Sequence, residues 1–392
     1  MRRGGFTAGL ILVLGLAVGC SSAPSEPRIE LLDSPAPPGS RFPSVALQGE
    51  RVYLSWIEGE EPDATVNLVV SEDGRWGEVE QIAAGSELFV NWADFPSIAV
   101  DGTGGVAAQW LVRAGGPSWA YGVRFSARTA DGPWSAPRIP HGSDHAGEHG
   151  FVSIVSAMPG GYELVWLDGR AMEDGGPMEL RQAGWTAAEF DTERVLDRDV
   201  CTCCQTDMAA FGDQRFVVYR DHAPGEIRDI SYVRFDGASW SAPTTLHRDG
   251  WQIAACPVNG PAVAARDARL AVAWFTQAND QPFVQARVSD DFGSTFGDPL
   301  RLDAGDPIGR VDVAALSDGS FVVVWLERSG DAAAINARRV SDGVAGPAVT
   351  IASVAAHRGS GFPRVATDGS DTWIAWTETS RPPRVRLARV RW

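Results

Sequence analysis

The octet Ser289-Asp290-Asp291-Phe292-Gly293-Ser294-Thr295-Phe296 sets a serine, an aspartate, a glycine and a threonine at alternate positions and closes on an aromatic. Such residues favour a tight reversal, because short polar side chains bond nearby backbone N–H groups and glycine accepts the left-handed backbone. Looser copies lie at 71–77 (Ser-Glu-Asp-Gly-Arg-Trp-Gly), 131–137 (Asp-Gly-Pro-Trp-Ser-Ala-Pro) and 236–243 (Asp-Gly-Ala-Ser-Trp-Ser-Ala-Pro). Ahead of these turns run short apolar strands that end in an aromatic: Trp56, Trp110, Trp166, Tyr219, Trp274, Trp325 and Trp376, spaced 51 to 56 residues apart. Seven copies at that period mean stacked units, and the period suits a four-stranded blade.

The rest of each unit agrees. A preceding short strand and turn appear in Phe42-Pro43-Ser44-Val45-Ala46, in 95–102 (Phe-Pro-Ser-Ile-Ala-Val-Asp-Gly) and in 362–369 (Phe-Pro-Arg-Val-Ala-Thr-Asp-Gly). The expected fold is therefore an all-β, seven-bladed propeller of antiparallel blades, with a six-bladed ring as the alternative. The seventh unit ends at Trp392 after its third strand, and Arg28-Ile29-Glu30-Leu31-Leu32 is the expected fourth, closing the ring and removing an exposed edge.

The opening octet matches the Asp-box, S-x-D-x-G-x-T-F/W. With it the chain resembles sialidase-like Asp-box propellers, and more narrowly sialidase-related lipoproteins of bacterial envelopes. That resemblance implies a fold more than a function, since Asp-boxes are structural turns. Familiar sialidases have six blades and a pocket with three arginines, a Tyr nucleophile activated by Glu, and an Asp acid/base. Carried over, Tyr219 and Glu226 are the matching pair, with Asp221 or Asp168 as acid/base. Two departures weaken the match. Tyr219 holds the position that Trp holds in the other units, and the F/Y-R-I-P arginine motif is only approximated by Ser40-Arg41-Phe42-Pro43, while Arg138-Ile139-Pro140 falls in a fourth strand.

The amino end reads as an export signal over residues 1–19: Arg2 and Arg3 precede an uncharged apolar stretch too short to span a bilayer. Leu16-Ala17-Val18-Gly19-Cys20 resembles a lipobox, which implies lipidation at Cys20, a flexible tether over 20–27 and one propeller domain over 28–392. Ser21 after the cysteine implies outer-membrane sorting, with the membrane touched through the acyl chains alone. A net charge of −16 argues against nucleic acid as a partner. In an oxidising compartment the other four cysteines are expected to form disulfides.

In a four-stranded blade, the b–c and d–a connections leave on the face opposite the Asp-box turns. Most unusual residues fall there. Cys201, Cys203, Cys204 and Cys256 lie on neighbouring connections; one bridge to Cys256 and a local bridge such as Cys203–Cys204 would leave all four oxidised. Alternatively they are thiolate ligands of a soft metal, completed by His145 or His149. His141, Asp144, His145, Glu148 and His149 share one polar loop that is a second, weaker metal candidate. No cofactor is otherwise expected. Arg170, Arg220, Arg228 and Arg310, with Asp168, Glu148, His149 and Trp251, mark a ligand-binding face able to grip an oxyanion if the guanidiniums converge. The expectations are a binder of an anionic small molecule, glycan or envelope protein; a sialidase-type glycoside hydrolase; or an envelope metal or redox protein.

Overall fold

The computed structural model describes residues 26–115, 119–142 and 147–392, with positions 1 and 5. Cys20, Asp144 and His145 lie outside the described residues, and so do the readings placed on them. Among the described residues there is no α-helix, only three short 3₁₀ turns at Arg170–Asp174, Ala278–Asp280 and Arg358–Ser360.

Seven sheets follow one another along the chain, each antiparallel, as the seven-fold period requires. Blade 1 is built from Ser40–Gln48, Arg51–Glu58 and Thr65–Glu72 with an outer edge of Arg75–Trp76 and Glu80–Ala84. Blade 2 is the lightest: three strands end at Arg128, and only a bridge between Phe125 and Arg138 occupies the outer position. Blades 3 to 6 start at His149, Asp207, Ala262 and Pro307. In blade 7 the strands Arg364–Thr367, Asp371–Glu378 and Arg384–Arg391 take Arg28–Leu32 as their fourth, in the register Arg28↔Arg391 to Leu32↔Leu387. The six-bladed alternative is set aside.

The recurring aromatics explain the period. Each one packs on the preceding blade: Trp110 against Ile57 and Val66, Trp166 against Ala107 and Phe125, Trp274 against Phe216 and Val218, and Trp56 across the closure against Ala375 and Leu387. Trp56, Trp166, Trp274 and Trp325 are at most 1% exposed. A unit without its predecessor would leave a large ring in water, so the hydrophobic effect itself demands a closed series.

Hydrogen bonds add a second tie at the inner strands. Ser44 Oγ accepts from Ile98 N, Asp207 Oδ2 from Val263 N and Asp312 Oδ2 from Val365 N, each reaching the next blade. Ser40 Oγ and Thr377 Oγ1 tie blades 1 and 7 by accepting from Val385 N and Phe42 N. The octet 289–296 makes the expected turn: Asp291 accepts from Thr295 N at 2.7 Å and Thr295 Oγ1 at 2.8 Å, while Ser289 Oγ accepts from Gly293 N. Phe292, at φ +52°, is driven into the wall between blades 4 and 5 beside Phe216.

Candidate functional site

The arginines selected from the sequence do not converge on open space. Arg170 is spent in a fork, giving Nε and Nη2 to Asp168 at 2.7 Å each and both Nη groups to Glu193 at 2.6 and 2.8 Å. Asp168 is fully buried; desolvation would raise its pKa, but Arg170 and Trp166 Nε1 hold it below the usual carboxylate range. Arg228 pairs with Glu226 at 2.8 Å. Arg220, 1% exposed, donates to the carbonyls of Asn259, Arg228 and Phe275 and lies 4.7 Å over Trp251, which is itself a core residue. Arg310 donates to the Gly361 carbonyl and sits 4.8 Å over Trp92; burial draws its pKa down to about 10. The reason is local: Arg170 folds back over Gly169 onto the strand end at Asp168, and Glu226 and Arg228 share one turn, so each pair neutralises itself.

The Tyr219–Glu226 pair also does not form. Tyr219 is completely buried between blades 3 and 4, and its hydroxyl donates to Asp197 Oδ2 at 2.5 Å. It repeats what Trp166, Trp274 and Trp325 do, each giving its indole N–H to Asp168, Asp249 and Glu327. Glu226 stands outside, against Arg228 and His222. Asp221 accepts from Ser231 Oγ and His222 N.

Two sulfur pairs replace the expected fully oxidised set. Cys203 and Cys256 form a disulfide with Cα atoms 5.9 Å apart, whereas Cys201 and Cys204 are buried thiols with their sulfurs 2.9 Å apart. A Cys203–Cys204 bridge is disfavoured because successive Cα atoms lie only about 3.8 Å apart, below the usual disulfide span. His149 does not complete this cluster. Its ring stacks on His141 at 4.1 Å and faces Asp168 at 3.5 Å. Among the described residues, the one group of metal-ligand type is Cys201, Cys203 and Cys204.

What the structure does bring together is a different trio. Tyr121 begins the third strand of blade 2, Asp94 ends the connection into that blade, and Glu148 leads into blade 3. The Tyr121 hydroxyl lies 2.8 Å from Asp94 Oδ2 and 3.0 Å from Glu148 Oε1. A phenol has one proton to give, so both contacts are satisfied together only if a carboxyl holds a proton of its own. The electrostatics agree: burial pushes Asp94 up to about 7, raises Glu148, and carries Tyr121 well above the ordinary phenol value. Phe89 stacks on the Tyr121 ring at 4.5 Å. Gly150 is obligatory, for a Cβ there would stand 1.9 Å from Asp94 Oδ2 and 2.6 Å from the Tyr121 ring.

Asp94 lines a cavity of ≈ 100 Å³ at the centre of the ring, together with Ser44, Ser97, Ser153, Gln205, Phe95 and Phe151. Asp207 and Arg364 complete its polar wall. Asp207 is raised to about 6 by burial and by Asp312, and Arg364 leans on Asp312 at 3.3 Å. The conspicuous arginines, histidines and cysteines drew the sequence reading away from Asp94 and Tyr121. The available signal was Asp94 itself, a charge standing directly before the repeated Phe-Pro-Ser at 95–97.

No family model matches the chain, and no curated protein does. Solved structures do. The chain is similar to the polysaccharide lyase Uly1 (8% identity, TM-score 0.53, 90% of each chain covered). It is similar to the α-L-arabinofuranosidase Arb93A from Fusarium graminearum (12% identity, TM-score 0.50, covering 77% of this chain and 93% of that one). A protein of unknown function from Dyadobacter fermentans matches at 12% identity and TM-score 0.51, over 78% of this chain and 97% of its own. At these identities the likeness is one of fold.

Proposed function

We propose that the protein binds a neutral saccharide at the central cavity, on the face of the b–c and d–a connections. The observation that carries this reading is the Tyr121–Asp94–Glu148 cluster beside a cavity walled by hydroxyls, an amide and two phenylalanines. Sugar hydroxyls need fixed polar partners and sugar C–H faces need apolar ones, and this wall offers both. The carboxyl-rich lining and the prior engagement of Arg170, Arg220 and Arg228 disfavour an anionic ligand. The solved relatives include proteins that act on glycans, which is in keeping with a saccharide as the partner. An outer-membrane lipoprotein, as the amino end implies, would present this face to envelope or external glycans.

The test is a neutral and acidic glycan array probed at low and high salt. Binding to neutral glycans that persists at high salt is expected; binding confined to acidic glycans and abolished by salt would overturn the reading.

One observation favours glycoside cleavage as a second reading. A carboxyl poised near neutrality can donate a proton to a departing glycosidic oxygen, and the Asp94 carboxylate so formed can take a proton from the water that attacks the anomeric carbon. Turnover of a chromogenic glycoside that falls roughly 10²- to 10⁴-fold in Asp94→Asn supports this chemistry. Binding without turnover leaves the first reading alone.

A further inference from the structure

The cysteine cluster lies outside the lining of the central cavity, and its layout has its own chemical meaning. Cys201 and Cys204 are each 1% exposed, Cys203 is half-buried, and Cys256 is exposed. The sulfurs of Cys201, Cys203 and Cys204 lie within 4.8 Å of one another. A buried dithiol thus stands directly behind a disulfide whose outer sulfur meets solvent. Cationic and N–H groups surround the inner pair: Arg220 and Arg228 act on Cys201, and the Cys203 and Asn259 backbone N–H groups point at Cys201 and Cys204. The two inner sulfurs stand 2.9 Å apart, so one shares its proton with the other. A thiol pair placed next to a disulfide is the arrangement that thiol–disulfide exchange uses.

We propose that these four cysteines form a thiol–disulfide exchange centre, in which the buried Cys201/Cys204 dithiol passes two electrons to the Cys203–Cys256 disulfide, and the exposed pair trades them with a disulfide or dithiol from solvent. Cys201 thiolate attacks Cys203 Sγ, forming a Cys201–Cys203 bond and expelling Cys256 as thiolate, which takes the Cys204 proton. Cys204 thiolate then attacks Cys201 Sγ, closing Cys201–Cys204 and releasing Cys203. The sum is an isomerisation of one dithiol and one disulfide, with no net redox change. The exposed Cys203/Cys256 dithiol next reduces an external disulfide to two thiols and closes again. An external dithiol returns both electrons by the reverse route.

Two measurements on the whole chain test this. In the first, the wild type holding one disulfide is trapped at acid pH, alkylated and mapped by peptide mass spectrometry. Exchange predicts two isomers, Cys203–Cys256 and Cys201–Cys204; finding the first alone, or all four sulfurs as thiolates on a stoichiometric metal, overturns the proposal. In the second, native protein is mixed with 5,5′-dithiobis(2-nitrobenzoic acid). The inner dithiol should react through the outer pair in the wild type and about tenfold or more slowly in Cys203→Ser/Cys256→Ser, where it is shut in. Equal rates would overturn it, and should that variant not fold, the mapping of the wild type decides.

Discussion

Tyr121, Asp94 and Glu148 are held so closely that their protons are part of the fold. Asp94 keeps its proton in the folded protein up to about pH 7, but the unfolded chain loses it near the ordinary 3.8. Between those values the folded state binds more protons than the unfolded one, so stability falls as pH rises through that window. Asp207, raised to about 6, and Glu148 and Asp312, also raised by burial, act with the same sign. Urea denaturation should therefore give a higher unfolding free energy at pH 5 than at pH 7.5. Asp94→Asn, which cannot ionise, should flatten that difference by on the order of 2–4 kcal/mol; an unchanged slope would place the titration elsewhere. Tyr219 provides the contrast. Tyr219→Phe removes a buried hydroxyl that donates to Asp197 and should cost about 1–3 kcal/mol while leaving saccharide binding intact. A loss of binding with unchanged stability would restore Tyr219 to the site.

At the scale of the element, turn chemistry and edge closure do the work. Phe292 is buried by a backbone in the left-handed region, and the following Gly293 lies so close to Phe216 that a Cβ would come within 2.3 Å of its ring. Phe292→Ala should lower stability by about 3–5 kcal/mol, because the cavity it leaves is braced by two blades. Differential scanning calorimetry reads this directly, and a shift of less than a degree would contradict it. The strand Arg28–Leu32 was legible because its blade lacked a fourth strand in sequence, and an unpaired edge is costly. Removing residues 28–32 should expose the strand Arg384–Arg391 and produce self-association on size-exclusion chromatography. A monomer of unchanged melting temperature would show the closure to be dispensable.

For the whole molecule, the ring was readable because one physical demand, a large aromatic that must rest on the preceding unit, recurs in every blade from Trp56 to Trp376. The site was harder to read, for Asp94 and Glu148 come from two connections and Tyr121 from the start of a strand, and they meet only where blades 2 and 3 pack together. Glu148 stood out in the sequence as part of a polar loop, but nothing local tied it to Tyr121 or Asp94, each 27 positions before or further. The arginines stood out for a feature that disarms them, since each neighbouring carboxylate that made Arg170 and Arg228 conspicuous also neutralises it. The cysteines were legible as a group, and the geometry of two neighbouring connections decided their pairing. The most direct test of the account is a crystal structure of the protein soaked with the neutral saccharide that binds most tightly on the array. A sugar ring seated against Phe95 or Phe151, with a hydroxyl within hydrogen-bond distance of Asp94, is the predicted result. Sugar density on the Asp-box face or the outer blade edges, with the central cavity filled by water alone, would contradict it.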